Sequence, residues 1–529
     1  WLLSRQRFWG TPIPMIHCDT CGIVPVPRED LPVELPLDVV FSEDQSGNPL
    51  ASHNSFVNVT CPSCEGEAKR ETDTMDTFYD SSWYFMRFCD AKNDSSPFDR
   101  NSVDYWMKDG VDLYIGGIEH AVMHLLYARF FTKFTRDAGM NTVGEPFGRL
   151  VCQGMLNAPA PYCNACNAEY HVDNFESACP TCENELSSRS VKMSKSLGNT
   201  VSPEEMISRF GADTVRMFTL FGANPEAGMD WSDSAIESNN RQIHSIIDAV
   251  DTALSFSESP SNIDKWLLSR LRTNQRAWIG AMNQVSLREG VMISHFESLS
   301  DWNWYIRRGG CDYSTSMKFL EGWIPMLAPA TPHIAEEFWQ KIGRDDLLAK
   351  FDLPEQEENE GDLRELAIEQ YIKQIISSGR NLRVLAERYS EKEISRAVIQ
   401  TSPIWKLDLA SEAIRLNSEN FDFKKGGQEY VKSLEIFRDD SIKGAVFQTW
   451  SSITSGSKKS RGKVHVWSEG EKDLISNRIS ESEVINNNSD FIAEALGVES
   501  IEAYMVGEGE DIGGKAKISF PLEPGIAFL

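Results

Sequence analysis

The residues with the clearest chemical capacity are Lys192 and Lys195, in the stretch Val191-Lys192-Met193-Ser194-Lys195-Ser196-Leu197-Gly198-Asn199. Two ammonium groups interleaved with small hydroxyl residues, Ser194 and Ser196, make a short cationic loop. Ser194 and Ser196 can donate hydrogen bonds to phosphate oxygens, so a polyphosphate is the ligand such a loop suits. In isolation the same string also reads as a solvated basic turn, and its context has to decide. A second candidate is Tyr114-Ile115-Gly116-Gly117-Ile118-Glu119-His120. It reads as a strand running into a Gly-Gly turn and a helix start, the layout that lets backbone approach a nucleotide closely. A third is the run from Arg70 to Phe85. There Thr72, Asp73, Thr74, Asp76, Thr77, Asp80, Ser81 and Ser82 lead straight into Trp83, Tyr84 and Phe85, as where a strand end rims a pocket.

Eight of the eleven cysteines fall into four Cys-x-x-Cys pairs: Cys18 and Cys21, Cys61 and Cys64, Cys163 and Cys166, Cys179 and Cys182. The opening residues lack the charged-then-apolar layout of an export signal, so metal is a better reading than disulfides. Thiolates so spaced on a tight turn point at one tetrahedral ion, and two turns complete a four-sulfur site. Two structural Zn²⁺ sites are therefore expected, closed to water. His17 and His171 read as bystanders, since each set already has four sulfurs.

These groups need elements to position them. After Glu119-His120 a helix is expected with Ala121, Val122, Leu125, Leu126, Ala128 and Phe131 on its apolar side, closing at Arg136-Asp137-Ala138-Gly139. Residues 150–157 read as a further strand, with the ribbon of Cys163 to Cys182 inserted before the lysine loop. Helical patterning dominates from Pro203 to about Tyr389, for example over 239–257, 263–285, 289–299, 317–326 and 332–342. Trp302 and Tyr305 read as packing residues in preference to an RNA-stacking surface. Beyond, short alternating segments at 397–401, 464–467, 500–505 and 517–520 mix with helices. Lys458, Lys459, Arg461 and Lys463 form the one clear basic cluster, and 353–362 reads as an acidic surface loop.

A chain of 529 residues is too long for one core. The expected division is 1–235, with zinc modules at about 17–66 and 158–190, then a helical bundle over 236–389 and a small α+β domain over 390–529. A net charge of −27 excludes a diffuse polyanion binder such as a basic zinc-ribbon protein, leaving nucleic-acid contact to local patches. No apolar run is long enough to span a bilayer.

Lys192-Met193-Ser194-Lys195-Ser196 and its continuation through Arg216 resemble the second signature of the class I aminoacyl-tRNA synthetases. The strings Arg70 to Phe78, Asp80-Ser81-Ser82-Trp83-Tyr84, Tyr114 to Ala121 and Gln153-Gly154-Met155 are similar to the leucine-type branch. The match is strong over roughly 1–235, moderate through the bundle and weak over the last 140 residues. It implies the second half of a Rossmann-type parallel-sheet catalytic domain, an anticodon-binding-type bundle and a C-terminal tRNA-binding domain. By the same resemblance Phe78, Ser81, Tyr84 and His120 line a leucine pocket. Gly116, Gly117, Glu119, Gln153, Met155, Lys192, Ser194, Lys195 and Ser196 hold ATP with Mg²⁺, with Lys192 and Lys195 catalytic. Lys458, Lys459, Arg461 and Lys463 touch tRNA(Leu). The implied protein is a cytoplasmic monomer. The chain opens at Trp1 with no initiator methionine and carries no His-x-Gly-His first signature. The resemblance therefore implies a C-terminal portion, without the preceding half-domain and editing domain, that is inactive by itself in leucine activation. Two other readings are an isoleucyl- or valyl-type synthetase and a non-catalytic tRNA-binding factor derived from one.

Overall fold

The computed structural model describes residues 2–40, 47–176, 178–353, 360–389, 393–455, 461–509 and 511–529. It divides into two compact units, Trp1–Val201 with Gly222–Ser232, and Ser202–Phe221 with Asp233–Leu529.

The first unit is built from small sheets. Strand Met15–Cys18 lies between Gly22–Pro25 and Glu67–Arg70, and Asn58–Thr60 completes this antiparallel sheet. Ile16, Val26 and Ala68 form its core together with Cys18 and Cys61. Tyr114–Gly117 pairs in parallel with Leu150–Gln153, Gly117 opposite Gln153, with helix Met123–Asp137 as the crossover. Leu156–Cys163 runs antiparallel to Ser187–Lys192 and parallel to Met229–Asp230. Among the described residues the parallel sheet around the Gly-Gly turn thus has two strands, within a mixed α/β unit.

Helix Met123–Asp137 has the expected span but a different buried face. His124, Tyr127, Ala128, Thr132 and Thr135 are buried, whereas Val122, Leu126, Phe130 and Phe134 stand exposed at four-residue spacing. Polar residues occupy the inner face because their hydroxyls are satisfied locally: Thr132 donates to Ala128 O (2.8 Å) and Thr135 to Phe131 O (2.9 Å). Expecting Val122 and Leu126 on the inner side was wrong for that reason.

The opening segment is tied to the polar run at 70–80. Ser4–Arg5 pairs with Thr74–Met75, Arg5 bridges to Asp76 at 2.6 Å, and the buried Thr74 hydroxyl lies 2.7 Å from Trp9 O. This locks the stretch that carries Phe78 and Ser81.

Two large hydrophobic cores dominate the second unit. The helical one gathers helices Asp233–Leu254, Ile263–Asn283 and Tyr313–Leu327 around Trp266, Trp302, Tyr305, Phe319 and Trp323. Trp302 and Tyr305 are buried as expected, and Trp304 Nε1 donates to Glu369 (2.9 Å), so this aromatic run is internal. The other core lies on a sheet in which Arg396–Thr401 is flanked by Ser500–Met505, parallel, and Gly525–Phe528, antiparallel. Strands are absent at the other two expected places among the described residues. Lys463–His465 is a 3₁₀ turn, and Lys515–Ile518 is a helical turn in which Asp511 accepts from the Ala516 N–H (2.9 Å). At both places a turn replaces the alternating pattern. The acidic stretch at 354–359 lies outside the described residues.

Glu481 is buried in this second core, accepting from the Tyr371 hydroxyl (2.9 Å) and the Leu522 N–H (3.2 Å). Burial pushes its carboxyl up to about 7. A folded-state value above the unfolded one means the native state binds the proton more tightly. Its contribution is fully present below about pH 4.5 and is lost as pH rises towards 7 and beyond. Replacing Glu481 with Gln should remove that loss. Relative to the unsubstituted protein the variant should gain on the order of 2–3 kcal/mol at pH 8 and little at pH 5, read from urea midpoints.

Candidate functional site

Three of the sequence-derived groups meet in the first unit. The parallel pair aligns Gly117 with Gln153, and the chain then continues through Gly154 and Met155 into strand Leu156–Cys163. That strand sets Asn157 opposite Lys192, the start of the lysine loop. As a result Lys192 Nζ lies 3.8 Å from Glu119 Oε1, both half exposed to solvent. The own backbone N–H of Glu119, and after it the charges of Lys192 and His120, hold its carboxyl below the usual range. An ionised acceptor and a cation thus face one open surface, and no atom outside the chain neighbours lies within 4 Å of where a Gly116 side chain would begin.

Gly154 is required by the backbone passing over it. A Cβ there would stand 2.2 Å from Ala227 O, and the Gly154 N–H donates to Pro225 O (2.8 Å). Met229 N donates to Met155 O (2.9 Å), so the 225–229 segment is laced onto the Gln153-Gly154-Met155 stretch.

The lysine loop is ordered from within. Asn199 is buried; its Oδ1 accepts from Ser194 N (2.9 Å) and its Nδ2 donates to Ala158 O (3.3 Å). Ser194 and Ser196 hydroxyls are 3.1 Å apart, while Lys195 projects into solvent. Gly198 closes the loop in the left-handed region, at φ 69°.

Phe78, Ser81, Tyr84 and His120 gather around a residue that sequence reasoning left out, His124. Tyr84 donates to Tyr114 (2.7 Å), whose hydroxyl reaches His124 Nε2 (2.6 Å); His124 Nδ1 is 3.2 Å from Ser81 Oγ, which donates to Phe78 O (3.2 Å). One tautomer, protonated at Nδ1, satisfies the whole relay. Burial, then the neighbouring His120, lowers the affinity of His124 for a second proton and keeps the ring neutral. Phe78 packs edge-on to His120, ring centroids 5.7 Å apart. The available signal for His124 was its position one helical turn beyond His120, on the same face.

Each cysteine set converges. In the first, Cys18 Sγ is 3.6 Å from Cys64 Sγ; in the second, Cys163–Cys182 is 3.5 Å and Cys166–Cys179 is 3.8 Å. A tetrahedral ion with Zn–S bonds of about 2.3 Å separates its sulfurs by about 3.8 Å. In each set all four sulfurs lie within 4.8 Å of one another. The Cys21 and Cys166 N–H groups point at Cys18 and Cys163 Sγ (3.4 Å each), as in a knuckle turn. The Ser63 N–H pulls the Cys61 thiol down to about 7, against the cost of desolvating it. Both sets therefore suit a thiolate-bound metal. Neither histidine joins them: His17 pairs with Glu71 (2.9 Å), and His171 lies against Gly198.

Of the basic cluster, Lys458 and Lys459 lie outside the described residues; Arg461 is exposed, and Lys463 is paired with Glu523. Among the described residues no helix is long and apolar enough to cross a membrane.

A family model described as tRNA synthetases class I (I, L, M and V) matches residues 1–159 and 186–232. A second, the anticodon-binding domain of tRNA ligase, matches 264–398. Over these stretches the chain is similar to the class I tRNA synthetases. Leucine–tRNA ligases are among the curated relatives it matches. That of Synechococcus sp. (strain CC9605) is 43% identical over 359 residues, which is 65% of this chain and 40% of the relative. That of Symbiobacterium thermophilum is 47% identical over 291 residues, 55% and 30% respectively. The chain thus spans about two fifths or less of the length of these relatives. Among solved structures, the LeuRS-tRNA-LeuAMS ternary complex from Agrobacterium radiobacter K84 is 30% identical with a TM-score of 0.55, covering 76% of this chain and 45% of that one.

The close approach at Gly154 makes a direct prediction. Gly154→Ala forces the 225–229 segment away and should cost about 1–3 kcal/mol or more, read as a lowered thermal midpoint.

Proposed function

We propose that this chain works in leucine–tRNA ligation: ATP-dependent activation of leucine and its transfer to tRNA(Leu). The observation that carries the reading is the approach of Lys192 to Glu119, which brings the lysine loop and the Gly-Gly-Ile-Glu-His turn onto one open surface. In this reading the two-stranded parallel pair is part of a Rossmann-type sheet, and Gly116, Gly117, Gln153 and Met155 border adenosine. Glu119 accepts from a ribose hydroxyl. Lys192 and Lys195, helped by Ser194 and Ser196, bind the β- and γ-phosphates together with Mg²⁺. As a leucine carboxylate oxygen attacks the α-phosphorus, negative charge builds on the departing pyrophosphate, and the two ammonium groups favour that charge more than the ground state. No covalent protein intermediate is needed; positioning and electrostatics do the chemistry.

Phe78, Tyr84 and His120 would wall an apolar pocket for the leucine side chain. The Tyr84–Tyr114–His124–Ser81 relay holds its shape, because each member fixes the next. The identity of 43–47% to leucine–tRNA ligases supports leucine over isoleucine or valine. The two cysteine sets would hold structural Zn²⁺, fastening the turns at 18–21 and 61–64 and the ribbon at 163–182. Helices of the second unit and the 390–529 region would hold tRNA, with Arg461 among the contacting residues, in a cytoplasmic monomer.

The test is leucine-dependent exchange of pyrophosphate into ATP by this chain and by the protein at the full length of its relatives. Exchange at full length, lowered roughly 10²-fold or more by Lys195→Ala, is expected. Undiminished exchange in that variant would remove Lys195 from the mechanism; tRNA binding without any exchange would favour a non-catalytic tRNA-binding factor. Metal analysis of the purified protein should find two zinc ions per chain and one after Cys163→Ser.

A further inference from the structure

The second cysteine ribbon does more than fold on itself. Its middle segment turns back along strand Leu156–Cys163, where the Tyr170 N–H donates to Pro161 O (2.9 Å). From there the Val172 N–H donates to Leu197 O (2.9 Å), inside the closing half of the lysine loop. The adjacent His171 ring covers Gly198 so closely that a Cβ there would stand 2.4 Å from Nε2. The loop's other fastening, Asn199 to Ala158 O, uses the same strand. Residues 160–185, which contain this segment, fall between the two stretches matched by the class I family model.

We propose that the Tyr170–Asn174 segment is a brace for the lysine loop, with His171 and Val172 as positioning residues, so that metal binding at Cys163, Cys166, Cys179 and Cys182 sets how tightly the loop grips a polyphosphate. The ribbon has little apolar burial to hold it otherwise. Within 164–182 Cys179 is the one buried hydrophobic residue among the described residues, and Phe175 is exposed. The position of 170–176 is therefore set by the two knuckles together with the pairing of Ala168–Glu169 on Tyr162–Cys163, and Tyr170 adds its hydroxyl, 3.2 Å from Cys179 Sγ and 2.9 Å from Thr181. Releasing the ion frees the knuckles, and with them the donor that holds Leu197. A loop hinged at Gly198 and held on one side only samples more conformations, and ordering it around phosphate then costs more entropy.

Val172→Pro isolates the contact. Val172 is the first residue of a 3₁₀ turn, preceded by His171 at φ −60° and ψ 146°. A proline fits there, since it needs extended backbone before it and lacks only the N–H. The experiment compares hydrogen exchange over 192–199 in the unsubstituted protein, V172P, H171A and chelator-treated protein, with zinc counted in each. The expected result is at least fivefold faster exchange in the loop for V172P with zinc retained, and the same or more after chelation. Equal exchange in all samples overturns the brace. Should V172P lose zinc, H171A decides: faster exchange over the loop with zinc bound supports the brace, and unchanged exchange overturns it.

The proposal rests on the polyphosphate reading of the loop, but exchange is measured without ATP or leucine, so the two fail separately. In an active full-length protein, V172P should raise the KM for ATP several-fold and leave that for leucine unchanged. A purely structural defect would move both.

Discussion

The pairing register between Leu156–Cys163 and Ser187–Lys192 is the constraint on which the site depends. It sets Asn157 opposite Lys192 and Val191, buried, opposite Ala158. Side chains alternate along a strand, so a slip of one residue would bury the lysine and expose the valine. With the register held, Lys192 emerges beside Glu119. The parallel pairing of Gly117 with Gln153 brings Glu119 to the same edge, because the chain runs from Gln153 into Leu156 across only two residues. Loop, turn and pocket are thus referenced to a few backbone ladders.

Around this frame the polar groups are arranged by mutual satisfaction. His124 is buried among Tyr114, Tyr84 and Ser81, and each hydrogen bond dictates the direction of the next. A buried ring with both nitrogens engaged has one tautomer and one orientation, which gives the aromatic wall a fixed shape. At the opposite extreme, Lys195 and Glu119 remain exposed. The lysine loop lies between these regimes, its closing half fastened through Asn199 and Leu197, with Lys192 beside Glu119 and Lys195 in solvent.

The two cysteine sets differ in what surrounds them. The first is embedded in an antiparallel sheet with Ile16, Val26 and Ala68 packed beside it, so part of its order comes from apolar burial. The second has almost none. With a metal bound, a module that relies on coordination and a short strand pairing would transmit the state of that metal to what it touches, and it touches Leu197 and Gly198.

Much of this was legible in the residues. Lys192, Lys195 and the Gly-Gly-Ile-Glu-His string announce themselves by type and spacing, and the cysteine pairs announce metal, because those signals are local and need no fold to be read. Helices such as Ile263–Asn283 and Pro332–Lys341 follow from periodicity for the same reason. What failed were judgements about which way a residue faces. Val122 and Leu126 are apolar yet exposed, and the alternation at 464–467 and 517–520 yielded to turns. Nor does the sequence show that His124 anchors a relay, or that His171, spare to the metal set, lies on Gly198. Those facts depend on contacts between residues 10 to 43 positions apart in the relay and 27 apart at the loop, and only the tertiary structure decides such distances. The sequence determined which groups are present and how each stretch is disposed to fold. The tertiary structure decided which of them meet, because register, burial and hydrogen-bond satisfaction are settled between segments and not within them.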